Sequence, residues 1–207
     1  GAAGRPAEAD RAYARAGDLW RSLGNVHGLV RSLRARAWLA LRTEDGADTA
    51  RELMAGAVRE CAEALAAADG ETPPDEASEE AAEEARLRLV AELGHTHRQF
   101  GDLLARSVPE DAEDDSIRAV LEEALSQVAE AIVVFASLGE DVRDARTGAE
   151  LAAGWLAADL SRPAEAAARA RAVLEAYGAA EDADDETAQS RRAEAEQMLG
   201  LMEEQGG

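Results

Sequence analysis

The sequence predicts an all-α fold, a right-handed α-α superhelix of about eight helices. Composition is the first reason: alanine is the commonest residue, aromatic residues make up 3%, and β-branched residues are scarce, which favours helix over strand. A repeat is the second: the pentapeptide Arg-Pro-Ala-Glu-Ala occurs at residues 5–9 and 162–166, each time opening an alanine-rich stretch. With 46% hydrophobic residues, 207 residues are enough to form a buried core.

Alignment of the two pentapeptides shows that apolar residues follow at a shared spacing of 4, 3 and 4 residues. This spacing places four side chains on one face of a helix. It occurs in four segments: Ala9, Tyr13, Ala16 and Trp20; Ala50, Met54, Ala57 and Cys61; Ala124, Val128, Ala131 and Phe135; Ala166, Ala170, Val173 and Tyr177. We call this the template face and expect the helix pairs to bury it against their neighbours. For the N-terminal half repeat, the sequence leaves open whether an apolar face is exposed.

Helices of a second kind alternate with the template helices and carry a small residue where two backbones are expected to approach closely. The small residues are Ala37, Gly94, Gly154 and Gly200. With its Leu-Gly pairs and the alanine-x3-large pattern of the template helices, the chain resembles a tetratricopeptide repeat protein over about residues 5–204. The resemblance implies a solenoid of helix pairs, each stable only when stacked on the next.

The predicted organisation is a single domain, residues 1–207, built from a half repeat and three pairs. The half repeat is 5–24, the pairs are 27–68, 81–138 and 142–178, and a terminal helix 187–204 and an acidic loop 69–80 complete the chain. The individual helices are predicted at 7–23, 27–42, 48–68, 81–106, 117–138, 142–159, 163–177 and 187–204. Thr49, Ser78, Ser116 and Ser161 are the expected helix starts. Because the array opens on half a repeat, we expect the chain to be a fragment of a longer protein.

The charge distribution limits the class of partner. The chain has 43 acidic residues against 22 basic ones, a net charge of −21, which argues against nucleic acid as the main partner. Residues 1–42 are nevertheless basic, with eight arginines against three carboxylates, a local net charge of +5. The longest apolar run, residues 131–136, is too short to span a membrane, and the single cysteine fits a reducing compartment, so we expect a cytoplasmic location.

Few residues suggest chemistry. Cys61 lies on the template face, where a buried packing role is expected. His95 and His97 are two residues apart on a helix and therefore point about 200° from each other, so they cannot share a metal ion. We predict no catalytic residue, no metal site and no cofactor.

The tetratricopeptide resemblance implies a concave groove lined by the helices that carry the small residue. Transferred to this sequence, the ligand-facing positions are Arg31, Arg34, Trp38, Leu41 and Arg42, then Arg88, His95, Arg98 and Gln99, then Leu151 and Trp155. Such a groove would be basic at one end and apolar at the other. We expect it to bind an extended, acidic protein segment with one or two hydrophobic anchors.

The function predicted from the sequence is a non-enzymatic protein–protein interaction module. One alternative is a regulatory or sensor arm of a larger signalling ATPase or transcription regulator, which binds a small ligand or holds the parent protein inactive. Another is that the two tryptophans are core residues and the arginines pair with acids on neighbouring helices. A further one is that the acidic loop occupies the groove, and the terminal helices offer a route to a homodimer.

Overall fold

The computed structural model describes residues 4–70, 75–109, 112–178 and 185–206. All regular structure in these residues is helical, with eight α-helices and one 3-10 helix at Gly139–Val142. The α-helices are α1 Gly4–Ser22, α2 Val26–Ala40, α3 Ala47–Ala68, α4 Glu76–Arg106, α5 Asp114–Ala136, α6 Arg143–Asp159, α7 Pro163–Ala176 and α8 Glu186–Gly206. For the described part of the chain, the predicted all-α class and the number of helices are confirmed.

The chain forms two compact units, Gly1–Ser107 with α1 to α4 and Val108–Gly207 with α5 to α8. Within each unit every helix packs against the next one in sequence, and the second helix also contacts the fourth. This is a helical repeat-like arrangement, consistent with an α-α superhelix. The prediction of one continuous domain, which pairs α4 with α5, stays a prediction.

Three of the four predicted template faces are completely buried. The twelve side chains on α3, α5 and α7 are all 0% exposed: Ala50, Met54, Ala57, Cys61, Ala124, Val128, Ala131, Phe135, Ala166, Ala170, Val173 and Tyr177. Their burial follows from the spacing, because residues 4, 3 and 4 positions apart form one stripe along a helix. Local periodicity therefore identified most of the core.

The template face of α1 is the exception. Tyr13 remains 43% exposed, and Ala9, Ala16 and Trp20 are only half-buried. Within the first unit α1 packs against α2, whereas α3 lies between α2 and α4 and is covered from both sides. Helix α1 thus leaves part of its template face exposed, which answers the question that the sequence left open for the half repeat.

The predicted small residues are buried on α2, α4 and α6 but not on α8. Ala37, Gly94 and Gly154 are buried, and a Cβ atom at Gly154 would lie 2.5 Å from the sulfur of Met198. Gly200 is exposed and a Cβ there would meet nothing within 4 Å. The buried stripe of α8 consists instead of Ala188, Ala195, Met198 and Met202.

At three helices the N-terminal cap lies three residues before the serine or threonine that was expected there. Helix α3 starts after Gly46 and α5 after Glu113, three residues before Thr49 and Ser116. Helix α4 starts after Asp75, whose carboxylate accepts a 2.8 Å hydrogen bond from the backbone N–H of Ser78, so part of the predicted loop 69–80 is helical. Residues 71–74 of that loop lie outside the described residues.

Ser161 does not cap α7. Its φ of 60° places it in the left-handed region, and Arg162 is the residue that precedes Pro163 at the helix start. Proline fits this first turn because a backbone N–H at the first helical position has no acceptor within the helix. The N–H that proline lacks is therefore not missed.

Tyr177 anchors the packing of α6 on α7 in the second unit. Its side chain is 0% exposed, and its hydroxyl donates to a carboxylate oxygen of Asp144 at 2.6 Å. The hydroxyl groups of Tyr177 and Thr147 lie 2.8 Å apart, and the guanidinium of Arg143 lies 4.8 Å from the centre of the tyrosine ring. The phenol is thus buried beside the buried hydroxyl of Thr147, and it donates to Asp144, which is itself exposed.

Candidate partner-binding site

An open cleft of about 500 Å³ lies on the surface of the first unit. Its walls come from one residue of α1, the C-terminal end of α2 and the last turn of α4: Tyr13, Ala35, Trp38, Leu39, Leu41, Arg42 and Arg106. Three of the predicted groove residues, Trp38, Leu41 and Arg42, are among them. Their spacing of three and four residues brings them to one side of α2 as it ends.

Two contacts from α4 hold the side chain of Trp38. Its indole N–H donates to the side-chain oxygen of Gln99 at 3.4 Å, and the guanidinium carbon of Arg106 lies 5.9 Å from the centre of its ring. The second contact has cation–π geometry. Trp38 is half-buried, so it fixes α2 to α4 and still offers part of its ring to the cleft.

The two arginines of the cleft are exposed. Among the described residues neither Arg42 nor Arg106 forms an ion pair with a carboxylate. Arg31, one turn before Ala35 on α2, is also exposed, and in this part of the chain it too has no acidic partner. The cleft therefore combines an aromatic ring and leucines with guanidinium groups whose hydrogen-bonding capacity is not used by a carboxylate in the described part of the chain.

Arg34 does not line the cleft as predicted. Its guanidinium lies 2.5 Å from one carboxylate oxygen of Glu92 and donates to the hydroxyl of Thr96 at 3.3 Å. The side chains of Arg34 and Glu92 are only 12% and 11% exposed, and His27 lies 3.4 Å from the other oxygen of Glu92. Arg34 is thus committed to the contact between α2 and α4, because a buried guanidinium needs a compensating charge.

Cys61 lies beside this buried ion pair. It is fully buried on α3, as the template spacing predicts. Burial, with a contribution from Glu92, raises its pKa to about 11, although Arg34 and a hydrogen bond with Thr96 act in the opposite direction. The side chain is therefore a thiol at neutral pH and lacks the thiolate character of a reactive cysteine.

The other predicted residues of α4 lie along its length. Arg98 pairs with Asp102 one turn further on, and Arg88, which is exposed, lies 3.6 Å from Glu84 one turn back. His95 is exposed, and Gln99 serves as the acceptor for Trp38. Among these residues, only Gln99 supports the cleft through a contact with Trp38.

The second unit carries the two remaining predicted groove residues. Leu151 is 1% exposed and belongs to the core formed with α7 and α8, so the prediction that it faces a ligand was wrong. Trp155 is half-buried and its indole N–H donates to Glu194 on α8 at 2.9 Å. A groove that continues from Trp38 to Trp155 stays a prediction.

Tyr13 and Arg106 line the cleft but were not predicted. Tyr13 belongs to the template face of α1, which the sequence did not assign to the groove, and it remains 43% exposed. Arg106 had a sequence signal: it follows Gln99 by seven residues, and a spacing of two helical turns places both on one face of α4.

Comparisons with known proteins do not identify a family. No protein-family model matches the chain, and no curated protein matches it in sequence. Chains of solved structures do match, including one described as "DHF58 filament", with 18% sequence identity and a TM-score of 0.42 over 98% of this chain and 84% of that chain. This identity and TM-score are too low to transfer either fold or function.

None of the helices in the described residues combines the length and the apolar character required to cross a bilayer. In the same ranges, no three histidine, cysteine or acidic side chains converge in a way that could hold a metal ion.

Proposed function

We propose that this chain is a tetratricopeptide-like, non-enzymatic interaction module whose cleft at Trp38 binds an acidic protein segment with an apolar anchor. The observation that carries the proposal is the position of two exposed arginines, Arg42 and Arg106, beside the half-buried ring of Trp38 in one open cleft. The helix-pair packing and the buried template faces support the tetratricopeptide-like classification.

The charges favour a carboxylate ligand. Arginine presents several N–H donors in a planar fork that matches a carboxylate, and charge-assisted hydrogen bonds are stronger than neutral ones. A net charge of +5 over residues 1–42, on a chain of −21, would also attract an acidic partner at low salt and accelerate its association.

The apolar part of the cleft favours a hydrophobic side chain next to the acid. Trp38, Leu39 and Leu41 together with Tyr13 present aromatic and aliphatic surface, and tryptophan and tyrosine are frequent anchors of protein interfaces. A ligand that has only charge would leave this surface in water, and one that has only apolar groups would leave the guanidinium groups without a partner. An acidic segment with a leucine or aromatic residue satisfies both.

The proposal is tested with fluorescently labelled synthetic peptides of three compositions. The first alternates acidic residues with leucine, the second replaces leucine with alanine, and the third replaces each acidic residue with its amide. We expect the first to bind most tightly in fluorescence anisotropy at low salt, and salt to weaken its binding.

The matching protein variant is Arg42→Glu with Arg106→Glu, and the control is Arg171→Glu, an exposed arginine on α7. Because a hydrogen bond to a charged group contributes about 1.5–3 kcal/mol, the cleft variant should bind the acidic peptide at least about tenfold more weakly. Circular dichroism establishes that each variant is folded. Equal binding by the cleft and control variants, or by the acidic and amide peptides, would disprove the proposal.

A further inference from the structure

The N-terminal part of α4 buries little of its surface against the described residues of its unit. Residues 76–88 are exposed except for Ser78 and Arg86, which are half-buried, and Leu87 is 42% exposed. We call residues 76–88 the arm. The packed part of α4 begins after it, and the fully buried residues Thr96 and Leu103 lie in that packed part.

Local interactions explain why the arm is helical. Asp75 caps its first turn, and acidic residues at Glu76 and Glu79 interact favourably with the N-terminal end of the helix dipole. Alanine, glutamate and arginine have high helix propensity, and the helix continues into packed residues, so no separate nucleus is needed. Arg86 also donates to Asp69 at the end of α3 at 3.0 Å.

One face of the arm has the chemistry that the cleft is proposed to recognise. Glu76, Glu80, Glu83 and Leu87 follow one another at spacings of 4, 3 and 4 residues and therefore share a helical face. This face presents three carboxylates and one exposed leucine. The cleft presents Arg42 and Arg106 next to apolar surface, so charge and hydrophobicity are complementary.

The arm cannot reach the cleft of its own molecule. Leu87 and Arg106 lie on one continuous helix nineteen residues apart, which separates them by about 28 Å along its axis. A helix is too stiff to fold back over that distance. Any contact between the arm and the cleft therefore joins two molecules. This contact is different from the alternative in which the acidic loop 69–80 occupies the groove of its own molecule.

We infer that the partner of the cleft is the arm of a second copy of this chain. Resting on the function proposed above, this inference names the partner of the same cleft. Because the arm and the cleft lie at opposite ends of α4, two copies can exchange arms in a symmetric dimer that contains the contact twice and leaves no free site. The exposed leucine and the carboxylates of each arm then meet the cleft of the other copy.

Sedimentation velocity of the full chain at increasing concentration and low salt tests the inference. The monomer has a mass of 21.8 kDa, and we expect the wild type to reach twice that mass. The cleft variant Arg42→Glu with Arg106→Glu and the arm variant Glu80→Arg with Glu83→Arg should each dimerise at least tenfold more weakly. Controls are Arg171→Glu and the pair Glu52→Arg with Glu63→Arg, which are exposed residues of α7 and α3.

A charge swap makes the test specific to this contact. In an equimolar mixture of the cleft and arm variants, one contact is native and the other has both charges reversed, so the mixture should dimerise although neither variant does so alone. A dimer that persists in both variants, or a mixture that stays monomeric, would overturn the inference, and circular dichroism excludes unfolding as the cause.

The result separates this inference from the proposed function. If the wild type stays monomeric at every concentration while the cleft still binds the acidic peptide, the second copy is not the partner and the proposed function stands. If the acidic peptide also fails to bind, both proposals fall.

Discussion

The hydroxyl group of Tyr177 illustrates how a single polar atom can decide the stability of a helix pair. The template spacing predicted that the ring is buried, but its partners Asp144 and Thr147 are 33 and 30 residues away in the sequence. Burial, together with the hydrogen bond to Asp144, raises the pKa of Tyr177 above the ordinary tyrosine value. The neutral phenol is therefore the form that the folded state prefers.

We expect Tyr177→Phe to lower the free energy of unfolding by about 1–2 kcal/mol, because Asp144 and Thr147 lose a buried hydrogen-bonding partner. Denaturant unfolding measures the change, with Tyr13→Phe as the exposed control. A raised pKa stabilises the folded state below the ordinary tyrosine value of about 10, and this contribution is lost as the pH rises through the folded-state pKa.

The difference between the wild type and Tyr177→Phe should accordingly shrink in alkaline solution. A constant difference at all pH values, or an absorbance titration in which both tyrosines ionise together in the folded protein, would contradict this account of Tyr177.

At the scale of helices, the contact between α1 and α2 depends on a glycine. A Cβ atom at Gly28 would lie 2.5 Å from two ring atoms of Trp20, whereas a Cβ at Gly17 would have ordinary contacts of 3.6 Å with Leu29 and 3.7 Å with Ser32. Trp20 therefore occupies the space that a side chain at position 28 would need. The two glycines offer a matched pair for testing how closely the helices approach.

We expect Gly28→Ala to destabilise the protein and Gly17→Ala to be neutral or stabilising. Alanine gains about 0.5–1 kcal/mol over glycine inside a helix, but at position 28 the displaced indole costs about 1–3 kcal/mol, which is the larger effect. Thermal unfolding of both variants decides the matter. Similar stability of the two variants would mean that Trp20 can move aside without cost.

The helix starts show which local signals are reliable. Serine and threonine residues were expected to begin α3, α4 and α5, but each helix begins three residues earlier, at Gly46, Asp75 and Glu113. Acidic and alanine-rich residues extend a helix backwards because they favour its first turn. For α4 this extension adds residues 76–80 to the arm, and the sequence had predicted those residues as part of the loop 69–80.

The net charge of −21 acts on the whole molecule. Like charges repel one another in the compact state, and salt screens this repulsion. Exposed ion pairs, such as Arg86 with Asp69, contribute only about 0–1 kcal/mol each. The stability lost when salt screens these pairs is therefore small compared with the repulsion that the salt relieves.

We therefore expect moderate sodium chloride to raise the midpoint of thermal unfolding at neutral pH. The same salt should have little effect near pH 4.5, where the net charge approaches zero. Measurements on dilute protein keep association out of the comparison. A midpoint that falls with salt at neutral pH would show that attractive ion pairs outweigh the repulsion.

Local pattern in the sequence was sufficient for the helical class, the number of helices and the buried faces of α3, α5 and α7. These properties depend on interactions between residues a few positions apart, and a spacing of 4, 3 and 4 residues already specifies which side chains share a helical face. The basic character of residues 1–42 was visible in the same way.

Contacts between residues that are distant in the sequence determine which exposed residues form the cleft. Arg34 lies on α2 and Arg42 lies two residues beyond its end, and both look free in the sequence, but Glu92 on α4 neutralises the first and no described carboxylate meets the second. Leu151 entered the core of the second unit, and Arg106 reached Trp38, from positions far apart in the chain. Helical periodicity gives the direction of a side chain on its own helix, and only packing determines what it meets there.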